Sequence, residues 1–155
     1  GAAALTTIYL DADACPVKEE TYRVAGRLGV QTLVVSNGWL NVPASPLIER
    51  VIVSEGLDRA DDWIAERAGP GDVVVTADVP LAHRCVTAGA RVLAPTGKAF
   101  TEQSIGMDRA ARDLMTELRE SGEIKGGGRP FTKQDRSRFL NALDTALQQI
   151  KRLGR

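Results

Sequence analysis

The sequence predicts an α/β fold: a mostly parallel sheet with helices over both faces. Short β-branched runs alternate with helical patterns, the arrangement that builds parallel strands through helical crossovers. The runs LVV and VVV are continuous instead of alternating, as in strands buried on both faces. Aspartates close two of the runs, Asp11 and Asp13 after IYL and Asp78 after VVVTA. A chain of 155 residues, 43% of them hydrophobic, can bury one substantial core. No internal repeat or second domain is visible. One domain over residues 1–155 is expected, its part from about residue 105 a helical extension.

In chain order, LTTIYL is the first expected strand and PVKEETYRVAGRLG the first helix. Pro16 stands at the opening turn of that helix, where a missing N–H is tolerated, with Asp13 just ahead near the positive end of the helix dipole, as a cap, a ligand or both. TLVVS and RVIVS supply two more strands. DRADDWIAERAG is helical, VVVTA a strand, VPLAHRC a proline-opened helix and RVLA another strand. Gly29, Gly69 and Gly71 punctuate helix exits. After RVLAPTGKAF, two longer helices are expected, roughly 107–120 and 132–153, separated by GEIKGGGRPF. The first aligns Met107, Ala110, Ala111, Leu114, Met115 and Leu118. The second aligns Phe139, Leu143, Ala146, Leu147 and Ile150, and Thr132, followed by Gln134 and Asp135, reads as its N-cap. Both apolar faces need the sheet or a partner to pack on, which leaves a homodimer open. Gly126 to Gly128 read as a linker or as a loop near the site.

The 20 basic and 20 acidic residues cancel, but unevenly. Residues 1–78 carry six Lys/Arg against twelve Asp/Glu, and residues 79–155 carry fourteen against eight. An acidic site followed by a basic segment suits a metal centre that receives a phosphate polyanion, and it equally describes solvated helix faces. Cys15 and Cys85 form neither a CxxC pair nor a cluster with a histidine, which argues against zinc and disulfides and for a reducing compartment. No charged-then-apolar leader opens the chain and no apolar run approaches bilayer length, so a cytoplasmic protein without membrane insertion is expected. The chain opens on Gly1 without Met, which leaves an upstream segment open.

Strand-end aspartates on parallel neighbours gather at one edge of the sheet, where open α/β sheets bind ligands. Clustered carboxylates need protons or a divalent cation, and hard oxygen ligands suit Mg²⁺ or Mn²⁺. Asp11 and Asp13, two apart, would point to the same side of a continuing strand. The alternative is that Asp13 caps a helix and Asp11 starts a turn. Asp61 and Asp62 lie in a helix whose Ala60, Trp63 and Ile64 face the core. Adjacent helical positions are about 100° apart, so one carboxylate points inward and the other outward, or both are simply solvated. Candidate metal ligands are Asp11, Asp13, Asp62 and Asp78, with Asp61 a further catalytic candidate.

Thr76, Ser36 and Asn37, near expected strand ends, are candidates for orienting ligands or water. Lys18, Lys98, Arg129, Lys133 and Arg136 are candidate phosphate contacts. Glu19 and Glu20 are explained by dipole compensation in the first helical turn. The single histidine, His83, and the thiol of Cys15 read as packing or surface residues with no catalytic partner in view. Trp39 and Trp63 read as core residues, not base-stacking platforms.

The segments DADACPVK, ADDWI, VVTADVPLA and GGGRPFTKQDRSRFLNALD together resemble the bacterial YaiI/YqxD family, over nearly the whole chain. That family is grouped with the PIN-like nucleases, and the resemblance implies a Rossmann-like three-layer sandwich with strand order 3-2-1-4-5 and an acidic divalent-metal site at its carboxyl edge. PIN-like proteins cut RNA, or flap and single-stranded DNA, through metal-activated water, and are often dimeric. By the motif matches, Asp11 corresponds to the aspartate of the first strand, Asp61 and Asp62 to the mid-domain acidic position, and Asp78 to the aspartate after the fourth strand. The family itself has no established activity.

The expected function is therefore metal-dependent phosphodiester hydrolysis, with RNA the first candidate partner. A haloacid-dehalogenase-like phosphatase is one alternative, with Asp11 as nucleophile and Asp13 as general acid in a DxD motif, although Ala14 and Cys15 depart from the residues that usually follow it. A noncatalytic RNA-binding module is the other.

Overall fold

The computed structural model describes residues 6–13, 15–53, 59–105 and 131–153. Its elements, in chain order, are β1 (Thr7–Asp11), α1 (Lys18–Leu28), β2 (Gln31–Ser36), β3 (Ile48–Ile52), α2 (Arg59–Arg67), β4 (Val73–Val75), α3 (Val79–Thr87), β5 (Arg91–Leu93), β6 (Ala99–Phe100) and α4 (Lys133–Arg152). The expected helix over 107–120, the glycines Gly126 to Gly128 and Arg129 lie outside the described residues.

The six strands form one sheet in the order β3-β2-β1-β4-β5-β6, parallel throughout except for β6, which runs antiparallel to β5. The parallel part has the order that the family resemblance implied. β6 was not expected, because two residues are too few to carry a strand pattern.

Alternation along each strand divides the core between two layers. Ile8, Leu10, Val34, Val73, Val75 and Leu93 face α1 and α4, where they meet Val24, Phe139, Leu143 and Leu147. Tyr9, Val35, Val74 and Val92 face the other way, toward Ala60 and Ile64 of α2 and Leu81 and Cys85 of α3. The central strands are buried on both faces, as their continuous valine runs anticipated. Each fully buried Val, Leu or Ile side chain contributes about 1.5–3 kcal/mol.

α4 follows its sequence closely. Thr132 Oγ1 accepts from Asp135 N–H at 3.1 Å while Asp135 Oδ2 accepts from Thr132 N–H at 2.9 Å, a reciprocal capping box. Arg136, in its first turns, donates to the Pro16 carbonyl beyond β1, and Gln149, near its end, accepts from Arg91 at the start of β5. The helix thus starts at the carboxyl edge of the sheet and ends at the amino edge. Gly97 lets it approach, since a Cβ there would stand 2.7 Å from the Arg138 carbonyl carbon.

Two local expectations are corrected. α1 starts at Lys18 with Val17 as N-cap and no side-chain capping bond, so Pro16 precedes the helix and Asp13 does not cap it. Trp39 is not core: it is 71% exposed, while Trp63 is half-buried against the α2/α3 layer. Gly29 closes α1 in the left-handed conformation at φ 70°, as glycine permits.

Candidate functional site

In this strand order the connections run in opposite directions from β1 and β4, which makes their carboxyl ends the topological switch point where α/β sheets bind ligands. Asp11 closes β1 and Asp78 follows β4, so both stand there. Thr76 joins them. Its hydroxyl donates to Asp11 Oδ2 at 2.7 Å and accepts from the Asp78 backbone N–H at 3.0 Å. Asp78 is also the N-cap of α3, its Oδ1 accepting from Leu81 N–H at 2.9 Å. Pro80 sits in the first turn of that helix, where its missing N–H is tolerated.

Asp13 reaches the same edge by a different route from the one its spacing suggests. β1 ends at Asp11, Ala12 N–H makes one further bond to the Val35 carbonyl, and the chain then turns. The two-residue strand period therefore does not extend to Asp13. Its Oδ2 instead accepts from Asn37 N–H at 3.1 Å, tying the loop after β1 to the loop after β2. Ser36 Oγ, buried at the end of β2, donates to the Gly38 carbonyl at 2.6 Å and tightens that second loop.

Burial pushes the Asp11 carboxyl above the ordinary carboxylate range, and the charges of Asp13 and Asp78 push it further, against the opposing effect of the Thr76 bond. One oxygen of each aspartate is held by a protein donor, at Asp11 Oδ2, Asp13 Oδ2 and Asp78 Oδ1. The remaining oxygens accept no bond from the described residues. Even so, no group of three or more His, Cys, Asp or Glu among the described residues is gathered as a ligand set for a metal ion.

Both α2 carboxylates are half-buried. Asp62 accepts from Arg84 of α3 at 2.8 Å. The charge of Asp61 adds to the rise of the buried Cys85 thiol.

Among the basic candidates, Lys18 Nζ turns back to donate to the Cys15 carbonyl at 2.8 Å. Arg136 donates to the Pro16 carbonyl at 2.7 Å and to Glu20 Oε2 at 3.2 Å, with its guanidinium over the Phe131 ring. It holds α4 to the connection between β1 and α1, which carries Asp13. Lys133 and Lys98 are exposed, Lys98 in the β5–β6 connection. His83 is exposed on α3, and Glu19 on α1, away from any of these bonds.

Trp39, expected in the core, stands exposed, and Arg50, which the sequence did not single out, is its partner. The Arg50 guanidinium lies 3.6 Å from the Trp39 ring centroid, in the loop that Asp13 holds. The available signal was the turn-rich SNGW following an expected strand, a context that exposes an aromatic.

A family profile described as "Uncharacterized BCR, YaiI/YqxD family" matches residues 9–149. A UPF0178 protein of Rhodopseudomonas palustris strain HaA2 is 64% identical over 97% of this chain and 92% of its own length. One from Nitrobacter winogradskyi is 63% identical over 94% and 92%, and one from Bradyrhizobium sp. strain ORS 278 is 59% identical over 94% and 89%. No solved structure matches the chain. None of the described helices is long and apolar enough to cross a membrane.

Proposed function

The chain belongs to the YaiI/YqxD family, and from that premise we propose that it is a PIN-like, divalent-metal-dependent nuclease acting on RNA or on single-stranded or flap DNA. The observation that carries the reading is the Asp11–Thr76–Asp78 arrangement at the switch point, with Asp13 close enough to raise the Asp11 carboxyl. A half-buried carboxylate beside two like charges is an electrostatic cost that a bound cation relieves. The strand order and the acidic carboxyl edge support the PIN-like assignment.

The donor set fits Mg²⁺ or Mn²⁺. Magnesium is ordinarily held by one or two carboxylates, with waters and substrate phosphates completing its shell, so a protein cage of three ligands is not needed. Asp11 and Asp78 would hold the ion directly, and Asp13 and one or both of Asp61 and Asp62 directly or through water. When bound, the ion lowers the pKa of a coordinated water and offsets charge on the phosphate. Thr76 keeps Asp11 oriented and, through the Asp78 N–H, sets the start of α3 against β1. Asp13 fixes the loop after β2 at the rim of the site. No side chain is required as nucleophile. The phosphatase alternative asks Asp13 to act as a general acid, whereas here it serves as an acceptor for a backbone N–H.

Calorimetric titration with Mn²⁺, beside Asp11→Asn and Asp78→Asn, tests the reading. Asparagine retains an oxygen acceptor for the Thr76 and Leu81 bonds but removes the charge. Binding in the parent that both variants lose, with Mn²⁺-dependent RNA cleavage lost in parallel, is expected. Cleavage retained in both variants would refute the assignment, and an aspartyl-phosphate trapped with beryllofluoride would move it to the phosphatase.

A further inference from the structure

The loop after β2 presents an indole in a way that packing does not explain. Trp39 is 71% exposed, the largest exposure among the large hydrophobic side chains described. Leaving so large an apolar ring in water forgoes the burial that normally places tryptophan in a core. The ring is nevertheless held. The Arg50 guanidinium covers one face at 3.6 Å from the centroid, Nε1 donates to Asn41 Oδ1 at 3.3 Å, and Arg50 Nη1 donates to the Leu40 carbonyl at 3.3 Å. The loop below is fixed as well, through Asn37 N–H on Asp13 and Ser36 Oγ on the Gly38 carbonyl. With one face on Arg50, the exposed area belongs to the other face and the ring edges.

We propose that Trp39, backed by Arg50, is a stacking platform for an unpaired base of the nucleic acid that enters the carboxylate site. The inference rests on the nuclease reading and narrows its substrate to single-stranded segments. A preordered aromatic with one open face gives a base a π-surface without the entropy of ordering the ring, and stacking of this kind tolerates any base. The guanidinium behind the ring adds positive charge next to the phosphate path, where the site itself is acidic. The location suits the role: Trp39 is two residues from Asn37, whose N–H is bound by Asp13, a chain path of at most about 7 Å. A base stacked there would sit beside the loop that Asp13 holds. A paired base has its faces covered by its own stack, so a duplex gains little.

The test is binding of a short fluorescein-labelled phosphorothioate RNA, single-stranded or as a duplex, read by anisotropy in Mg²⁺ for the parent, Trp39→Ala and Trp39→Phe. The exposed position lets both variants fold, which circular dichroism verifies. Trp39→Ala is expected to weaken single-strand binding roughly 5- to 100-fold, Trp39→Phe to restore most of it, and duplex binding to change less than about twofold. Parent-like single-strand affinity in Trp39→Ala overturns the platform while leaving the nuclease reading intact. A parent that binds neither RNA overturns both. If instead the alanine variant changes only the sedimentation coefficient, the ring is a contact between copies of this chain and the platform is likewise overturned.

Discussion

The Thr76 hydroxyl donates to Asp11 at 2.7 Å and accepts from the Asp78 N–H at 3.0 Å, so one buried side chain sets the positions of both strand-end aspartates. Thr76→Val keeps the shape and deletes the link. It leaves the Asp78 N–H without its acceptor and takes away the bond that restrains the Asp11 carboxyl from rising further. A loss of about 1–3 kcal/mol is expected for a half-buried donor left without its acceptor together with the lost Asp11 bond. That is roughly 2–10 °C in melting temperature by circular dichroism, with weaker Mn²⁺ binding in the same preparation.

Asp11→Asn should separate stability from function. Because the folded-state pKa of Asp11 is raised, the folded chain holds this proton more tightly than the unfolded chain. The stabilising contribution is complete below the ordinary carboxylate value of 3.8 and is lost as pH rises through the elevated folded value. Urea midpoints measured from acid to neutral pH should therefore decline more in the parent than in the asparagine variant, which keeps the contribution of Asp72, a carboxyl also raised by burial. At neutral pH the variant should be the more stable of the two and bind no Mn²⁺. An Asp11→Asn protein less stable than the parent at neutral pH would contradict the strained-carboxylate account.

Asp78 has two duties that substitution can resolve. As N-cap of α3 it accepts from Leu81 N–H, a bond asparagine can keep and alanine cannot. Asp78→Ala should cost about 1 kcal/mol of stability while Asp78→Asn costs a few tenths at most. Both should lose Mn²⁺ binding.

Arg136 was expected from the sequence as a phosphate contact, and the structure gives it partners within the chain. It pairs with Glu20, whose side chain is only 12% exposed, and bonds the Pro16 carbonyl. Arg136→Ala should lower stability by about 1–2 kcal/mol, more than an exposed pair and less than a fully buried one. An unchanged melting temperature would return Arg136 to the list of free phosphate contacts.

Both cysteines should resist alkylation in the native state. Burial pushes the Cys85 thiol up to about 11, with the charges of Asp61 and Asp11 adding to the rise, and burial raises Cys15 as well. Iodoacetamide at neutral pH should modify neither until urea unfolds the chain, as mass spectrometry would show. Since the folded values lie above the ordinary thiol value of 9.0, stability should fall as pH rises above it, and Tyr22, pushed up to about 12 by its burial, continues the decline.

The sequence by itself determined the layered α/β plan, the acidic carboxyl edge and the capped last helix. Each follows from local physics: valine runs are stable only when covered on both faces, Thr132 and Asp135 cap each other within one turn, and parallel strands that end on aspartate must place those aspartates on one edge. The tertiary structure alone decided what each charge meets. That Asp13 holds Asn37, that Asp62 is taken by Arg84, that Arg136 spans to Glu20, and that Trp39 stands in solvent on Arg50 all depend on which loops the strand order brings together. A hydrogen bond or ion pair acts over a few ångströms of space, whatever the separation along the chain, and spacing in sequence carries no record of it.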